Sequence, residues 1–189
     1  MKFIKTYIPD VYIIEPSVFD DNRGYFFESF HKERYLKVGI TKPFIQDNES
    51  KSSFGVLRGM HYQLPPFAQT KLVRVIKGKV LDVVVDIRKN SKTFGEKVIV
   101  ELSEENKHQL FIPKGFAHGY VTLSDDTIFC YKVDAYYNQK AERGILFNDT
   151  DLAIDWKFPA AELIISEKDK VQVPFNKADL FEQMLKIND

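Results

Sequence analysis

Short runs of apolar residues alternate with polar turns along most of the chain. The runs read VYIIEP, GYFFESF, GVLRGMHYQL, TKLVRVIKG, KVLDVVVDI, EKVIVEL, HQLFIPKG, GYVTL and TIFCYKVDAYY, and the turns between them include DDNRG, LPPFAQ, KGK and LSDD. Runs of this length, bounded by glycine, proline and aspartate, are typical of antiparallel strands rather than helices. Their close spacing predicts a mostly β structure, either a sandwich or a barrel.

Two segments have the period of an amphipathic helix instead. SFHKERYLKVGI contains good helix formers and ends near Gly39, which predicts a short helix. NKADLFEQMLKIN begins at a candidate cap, Asn176, and predicts a second helix near the C-terminus. Its apolar stripe consists of Leu180, Phe181, Met184, Leu185 and Ile187. We expect both helices to be peripheral scaffold.

Three predicted strands carry a polar side chain on a face that is otherwise apolar. In TKLVRVIKG, alternation puts Lys71 on the same face as Val73, although lysine is seldom buried without a partner. His118 in GFAHGYVTL and Tyr131 in TIFCYKV likewise share a face with apolar neighbours. Each has an ordinary structural explanation when taken alone, but together they predict polar groups facing the interior.

The stretch VLRGMHYQL poses a problem of parity. Strict alternation puts His61 and Gln63 on one face and sends Arg58 to the other. Gly59 lies between them, and sheets often use glycine for a bulge that redirects a side chain beside a site. We therefore expect a bulge at Gly59 if Arg58 and His61 share one cavity.

The charge balance and the cysteine count narrow the class of protein. Lysines and arginines number 27, as do aspartates and glutamates, so no net field attracts nucleic acid or an anionic membrane. Cys130 is the single cysteine, which excludes an intrachain disulfide and fits a reducing compartment. The N-terminus has no long apolar run. We expect a cytoplasmic protein whose residues 1–189 form a single domain, with the N-terminal segment and the C-terminal helix packed on the β-structure.

The sequence gives little support for a metal site or for a nucleophilic mechanism. The four histidines, His31, His61, His108 and His118, include no H-x-H pair, and His61 has no carboxylate at ligand spacing. A metal would need His61, His118 and a distant carboxylate. Cys130 alternates with the inward Tyr131 and is expected to pack in the core, which disfavours a thiol nucleophile. No glycine-rich phosphate loop is present.

Several blocks, in order and spacing, resemble the dTDP-4-dehydrorhamnose 3,5-epimerase family. They are DDNRGYFFESF, FIQDNES, GVLRGMHYQ, KLVRVIKGKVLDVVVDIR, FIPKGFAHGYVTLSD, YKVDAYYNQKAERGI and ISEKDKVQVP. The likeness extends from about residue 10 to about residue 175. It implies a metal-free, cupin-type jelly roll with a few short helices, assembled as a homodimer. It also implies an isomerase that converts dTDP-4-dehydro-6-deoxy-D-glucose to dTDP-4-dehydro-L-rhamnose, for polysaccharide biosynthesis.

The resemblance also implies a role for each matching residue. His61 in RGMHYQ would be the general base, Asp169 in EKDK would orient it, Lys71 would face the keto oxygen and Tyr131 in YK would donate the proton. Contacts with the nucleotide and sugar are expected from Arg23, Phe26, Glu28, Gln46, Asn48, Arg58, Gln63, His118, Tyr137, Glu142 and Lys168. Tyr137 would stack on the thymine. Arg23 and its neighbours would come from the partner subunit.

The chemistry implied by the resemblance needs no cofactor, because the substrate already carries the ketone that acidifies its C3 and C5 hydrogens. The sequence departs from the family pattern at Thr150 and Lys157, outside the quoted blocks. The alternatives are an epimerase acting at C3 or C5 alone, a ketoisomerase on a related sugar, a noncatalytic sugar-nucleotide binder and a metal-dependent cupin oxygenase.

Overall fold

The computed structural model describes residues 1–182, and strands dominate this part of the chain. In chain order, β1 to β14 are Lys2–Lys5, Tyr12–Glu15, Val18–Asp21, Gly24–Phe27, Gln46–Ser52, Val56–Gln63, Lys71–Lys77, Lys79–Asp86, Lys97–Ser103, Gln109–Ile112, Phe116–Thr122, Thr127–Val133, Glu142–Gly144 and Ile164–Ile165. The α-helices are α1 at Lys32–Leu36 and α2 at Glu167–Lys170, and 3₁₀ turns lie at Ala160–Glu162 and Phe175–Lys177. Helices of four and five residues are too short to cross a bilayer, and none among these residues is a candidate span.

Two sheets form the body of the fold. The first sheet has the order β1-β2-β10-β7-β12-β5, and the second has the order β13-β6-β11-β8-β9. Pairing along both orders is antiparallel, and β14 adds a short parallel contact with β6. Because neighbouring strands come from distant parts of the sequence, the topology is that of a jelly roll. This confirms the predicted mostly β class with a few short helices.

Apolar side chains from both sheets fill the space between them. Val73, Leu110 and Phe129 of the first sheet pack with Val84 and Leu102 of the second. Burial of this kind contributes roughly 1.5–3 kcal/mol for each large aliphatic or aromatic side chain. The sheets are thus held face to face, and polar groups in the same interior are the exception that marks the site.

The two outer faces are covered differently. Side chains from residues 145–181 pack on the outer face of the second sheet, where Ile145, Trp156 and Phe175 join its core. The segment around α1 packs on the outer face of the first sheet through Tyr35 and Ile40. Both covering segments lie on outer faces, and the cavity described below opens between the inner faces.

The helix predictions had mixed outcomes. The first helix is confirmed but shorter, at Lys32–Leu36, and Gly39 follows it with a φ of 87°, where glycine is favoured. The second prediction is wrong for residues 178–182, because Phe181 forms a β-bridge with Arg88 instead. Its remaining stripe residues, Met184, Leu185 and Ile187, lie outside the described residues. The single-domain organisation stays a prediction.

Candidate active site between the two sheets

A cavity of about 520 Å³ lies between the sheets, within the size range of small-molecule sites. Its lining comprises Ser50, Lys71, Phe129 and Tyr131 from the first sheet, Val56, Leu57, Arg58, His61, His118 and Tyr120 from the second, and Ile164, Ile165, Ser166, Lys168 and Asp169 from β14 and α2. The structure therefore brings together every residue predicted to be catalytic. Arg58, His118 and Lys168 among the predicted binding residues join them.

His61 and Asp169 form a hydrogen-bonded pair at the edge of this cavity. Asp169 Oδ1 lies 2.6 Å from His61 Nε2, and the His61 side chain is 31% exposed. The backbone at Asp169 is anchored, because the Asp169 N–H donates to the Ser166 hydroxyl, which caps the N-terminus of α2. Burial would raise the pKa of Asp169, but the hydrogen bond and charge of His61 hold it below its usual value. Asp169 is thus an ionised carboxylate fixed against one nitrogen of the ring.

The bulge expected at Gly59 is present and resolves the parity problem. Between the pairs formed by Arg58 and His61, two β6 residues face a single residue of β11, Gly119. Gly59 has a φ of 130°, and a Cβ there would lie 2.5 Å from Gly119 Cα. Glycine is therefore required by both conformation and contact. The extra residue brings Arg58 and His61 to one cavity, which confirms the hypothesis.

A second histidine–carboxylate pair lies beside the first. His118 is the cross-strand partner of His61, and its Nε2 is 3.0 Å from both carboxylate oxygens of Asp82 on β8. This pair is more deeply buried, with side-chain exposures of 8% for His118 and 0% for Asp82. Burial lowers the pKa of His118, and the nearby Lys71 acts in the same direction, while Asp82 opposes both. The lowered pKa favours the neutral imidazole.

The first sheet supplies the opposite side of the cavity. Lys71 on β7 and Tyr131 on β12 lie on adjacent strands, two register positions apart on the same face. Burial lowers the pKa of Lys71 to about 8, against the opposing charges of Asp82 and Glu142. Burial also raises the pKa of Tyr131, against the opposing charge of Arg58. An ammonium and a protonated phenol therefore face the imidazoles near neutral pH.

Three predicted binding residues form a cluster beside the cavity. The Tyr137 hydroxyl donates to Glu142 Oε2 at 2.8 Å, and the Lys168 ammonium lies 2.5 Å from the same oxygen. The Tyr137 ring remains 57% exposed, so one of its faces is available for stacking. Because Lys168 also lines the cavity, this cluster borders its opening.

The lone cysteine does not lie where it was expected. The prediction that Cys130 packs in the core is wrong, because its strand face is the outer one and is only partly covered. Its Sγ lies 3.5 Å from Glu49 Oε2, and burial together with that carboxylate raises the pKa of the thiol to about 11. The thiol is therefore protonated and a poor nucleophile. Within residues 1–182, no group of three or more potential ligands is placed to hold a metal ion.

Comparison with known proteins decides the family. The sequence profile described as dTDP-4-dehydrorhamnose 3,5-epimerase matches residues 5–177. The chain belongs to the dTDP-4-dehydrorhamnose 3,5-epimerase family. A protein of that name from Shigella flexneri is 53% identical over 182 residues, which cover 96% of this chain and 99% of the relative. A crystal structure of the epimerase from Elizabethkingia anophelis has 51% identity and a TM-score of 0.90, covering 93% of this chain and 97% of its own.

Two further members of similar structure carry names that bear on the substrate. The dTDP-6-deoxy-D-glucose-3,5-epimerase of Legionella pneumophila, in complex with dTDP-4-keto-L-rhamnose, has 46% identity and a TM-score of 0.93, covering 97% of this chain and 99% of its own. A 3'-monoepimerase from Streptomyces bikiniensis, in complex with dTDP-quinovose, has 30% identity and a TM-score of 0.83, covering 90% of this chain and 86% of its own. The fold therefore hosts sugar-nucleotide epimerases of more than one specificity.

Eight predicted binding residues of this family member do not line the cavity within the described chain: Tyr137 and Glu142 of the cluster beside it, and six others that lie elsewhere. Arg23 pairs with Asp21 on the β3–β4 hairpin, and Glu28 pairs with Arg34. Phe26 belongs to the same exposed hairpin, and Gln46 hydrogen-bonds Asn48 on the edge strand β5. The Gln63 side-chain amide donates to the carbonyls of Phe67 and Tyr136 and accepts from the Asn138 N–H. It therefore fixes the loop that carries Tyr137. Thr150 and Lys157, the departures from the family pattern, are also outside the lining.

Asp82 is the one charged group of the site that sequence reasoning missed. A signal for it exists, because alternation in KVLDVVVDI puts Asp82 on the same face as Val80 and Val84. A carboxylate on a valine face needs a buried partner. The sequence does not reveal that the partner is a histidine 36 positions further along.

Proposed function

We propose that this protein epimerises dTDP-4-dehydro-6-deoxy-D-glucose at C3 and C5, giving dTDP-4-dehydro-L-rhamnose. The observation that carries the proposal is the arrangement across the cavity: a carboxylate-backed imidazole, His61, on one sheet and a phenol and an ammonium, Tyr131 and Lys71, on the other. Inversion at carbon requires that the proton leave from one face and return to the opposite face. Facing walls of different chemistry meet that requirement.

Removal of a proton from C3 or C5 produces an enolate whose charge accumulates on the C4 oxygen. Lys71 is the candidate to stabilise this oxygen, because a partly buried ammonium acts in a medium of low dielectric constant. Loss of one comparable donor costs about 10²–10³ in rate in other enzymes. We therefore assign Lys71 to the oxyanion rather than to proton transfer.

His61 is proposed as the base, acting through Nδ1. Its Nε2 is engaged by Asp169 at 2.6 Å, so a neutral ring carries its proton on Nε2 and offers the Nδ1 lone pair. The ionised Asp169 also stabilises the imidazolium that forms when the carbon acid is deprotonated. This arrangement can serve C5 and C3 in turn if the sugar ring shifts between the two steps.

Tyr131 is proposed as the acid that returns the proton from the other side. Its pKa is raised by burial, so the phenol keeps its proton at neutral pH and can donate it to an enolate carbon. The phenolate that results is near Arg58, which lowers the cost of the charge. Release of the proton from His61 to solvent and reprotonation of Tyr131 from solvent would complete each cycle.

The diphosphate and the nucleotide need cations and an aromatic surface. Arg58 in the cavity supplies a guanidinium suited to phosphate, and Lys168 and Tyr137 lie at its border. Arg23, Phe26 and Glu28 lie on or next to the β3–β4 hairpin, outside the cavity of their own chain. We propose a homodimer in which this hairpin reaches the partner's cavity, and the exposure of Phe19 (65%) and Phe26 (67%) supports such a contact.

A nucleotide-sugar substrate also supports the cytoplasmic location expected from the sequence. The second candidate function is epimerisation at one carbon alone, and the similarity to a 3'-monoepimerase favours it over a ketoisomerase or a noncatalytic binder. Both candidates use the same base and acid. They differ in how the sugar is seated between them.

The deciding experiment is incubation of the purified protein with dTDP-4-dehydro-6-deoxy-D-glucose in deuterium oxide, followed by NMR. We expect deuterium at both C3 and C5 and the coupling constants of the L-sugar. A reaction without protein corrects for spontaneous exchange next to the ketone. Deuterium at one carbon only would support the monofunctional candidate. Absence of exchange, with dTDP still bound, would indicate a binder.

A further inference from the structure

Asp82 is a fully buried carboxylate to which the proposed reaction gives no role. It lies on β8 between valines of the inner face, and its side chain has 0% exposure. Its two oxygens are both 3.0 Å from Nε2 of His118, a residue that lines the cavity. A buried carboxylate is costly unless it is paired, so its presence behind the cavity wall calls for an explanation.

The hydrogen bond fixes which nitrogen of His118 carries the proton. An ionised carboxylate only accepts, so Nε2 must donate to Asp82, and the neutral ring then has its lone pair on Nδ1. Nδ1 points away from Asp82. Because His118 lines the cavity, Nδ1 would be available to accept from a hydroxyl group of a sugar held there.

The same carboxylate acts on the ammonium across the cavity. Lys71 is subject to the negative charges of Asp82 and Glu142, and both favour its charged form against the effect of burial. His118 and His61 also line this cavity. Without the charge of Asp82, Glu142 is the remaining carboxylate that favours the ammonium form of Lys71.

We infer that Asp82 is a positioning residue for the epimerisation: it holds His118 as an acceptor toward a hydroxyl group of the substrate. It acts through His118 and does not touch the substrate. The inference rests on the proposed function, because the substrate must offer that hydroxyl group to His118. It gives the cavity two carboxylate-backed histidines with separate duties.

The tautomer can be tested in the wild-type protein. With ¹⁵N-labelled histidine, the four imidazoles give a simple spectrum, and the His118→Gln variant identifies the His118 signals. We expect a protonated Nε2 and an unprotonated Nδ1 at neutral pH. A proton on Nδ1 of His118 would overturn the inference, whatever the protein's activity proves to be.

The catalytic effect can be tested with Asp82→Asn, which keeps the shape of the side chain and removes its charge. We expect kcat to fall about 10–100-fold, the range found for carboxylates that orient metal-bound histidines. The alkaline limb of the kcat profile should move to lower pH, because Lys71 loses a neighbour that favours its ammonium form.

Asp86→Asn is the matched control, because Asp86 lies on the same strand, is equally buried and pairs with Arg88 outside the cavity. It should lower the unfolding temperature and leave the pH profile of the folded enzyme unchanged. An Asp82→Asn enzyme with wild-type kcat and profile would refute the positioning role. If the wild-type enzyme shows no deuterium exchange, the proposed function is refuted instead. The measurement of the His118 tautomer does not depend on either activity result.

Discussion

The two walls of the cavity differ in what their polar groups can do with a proton. The wall formed by β6 and β11 presents two imidazoles, His61 and His118, each hydrogen-bonded to a carboxylate behind it. The wall formed by β7 and β12 presents Lys71 and Tyr131, which hold their protons near neutral pH. One wall therefore accepts protons and the other donates hydrogen bonds and protons.

This difference comes from what lies behind each wall. Carboxylates behind the imidazoles fix the ring tautomer, whereas burial raises the pKa of the Tyr131 phenol against the opposing charge of Arg58. An enzyme that inverts a carbon centre needs an unprotonated group on one face and a protonated group on the other, and the two walls supply one of each.

The largest effect is expected from the accepting wall. His61→Asn removes the proposed base while keeping a polar side chain, so deuterium exchange at both carbons should fall by about 10³–10⁴. Binding of dTDP should be close to normal, because the assigned nucleotide contacts are elsewhere. Exchange is followed by NMR and binding by calorimetry. His108→Asn, outside the cavity lining, is the control; full turnover by His61→Asn would disprove the base.

A smaller and more informative effect is expected from the donating wall. Tyr131→Phe removes one hydroxyl and leaves the ring in place beside Phe129. Product formation should fall by about 10²–10³, within the usual range for loss of a general acid. Exchange should persist with the configuration retained, because His61 can still remove a proton and return it. Tyr7→Phe, with an exposed ring away from the cavity, is the control. Equal loss of exchange and inversion would assign Tyr131 a different role.

Most of the site residues that could be predicted from the sequence were found from the alternation of side chains along strands. A period of two is a local property, so the sequence alone indicated that Lys71, His118 and Tyr131 face inward and that Gly59 was the place for a bulge. The pairing of His61 with Asp169, 108 positions apart, was expected from family resemblance alone. Asp82 was missed because its partner comes from another strand.

The incorrect predictions have a common physical cause. Parity correctly put Cys130 opposite Tyr131, but it does not say whether that second face is covered. An apolar stripe near the C-terminus indicates burial, but Phe181 achieves it through a bridge to Arg88 rather than in a helix. Local patterns specify which side chains are buried. The tertiary partners decide how.

The smallest expected effect is on the pH profile and concerns Lys71. Its ammonium form must be present to stabilise the enolate, and its pKa is lowered to about 8, so the active fraction declines as pH rises through that value. At pH 9 about one tenth of the enzyme would retain the ammonium, which predicts a loss of kcat of about tenfold from this group. The arginine of Lys71→Arg keeps its charge at every accessible pH. Its kcat should be lower, because the guanidinium is larger than the ammonium, but the pH profile should lack this alkaline limb. The profile is measured from pH 6 to about 9.5 by NMR of samples quenched at fixed times. If Lys71→Arg keeps the same alkaline limb, that limb must be assigned to Tyr131 instead.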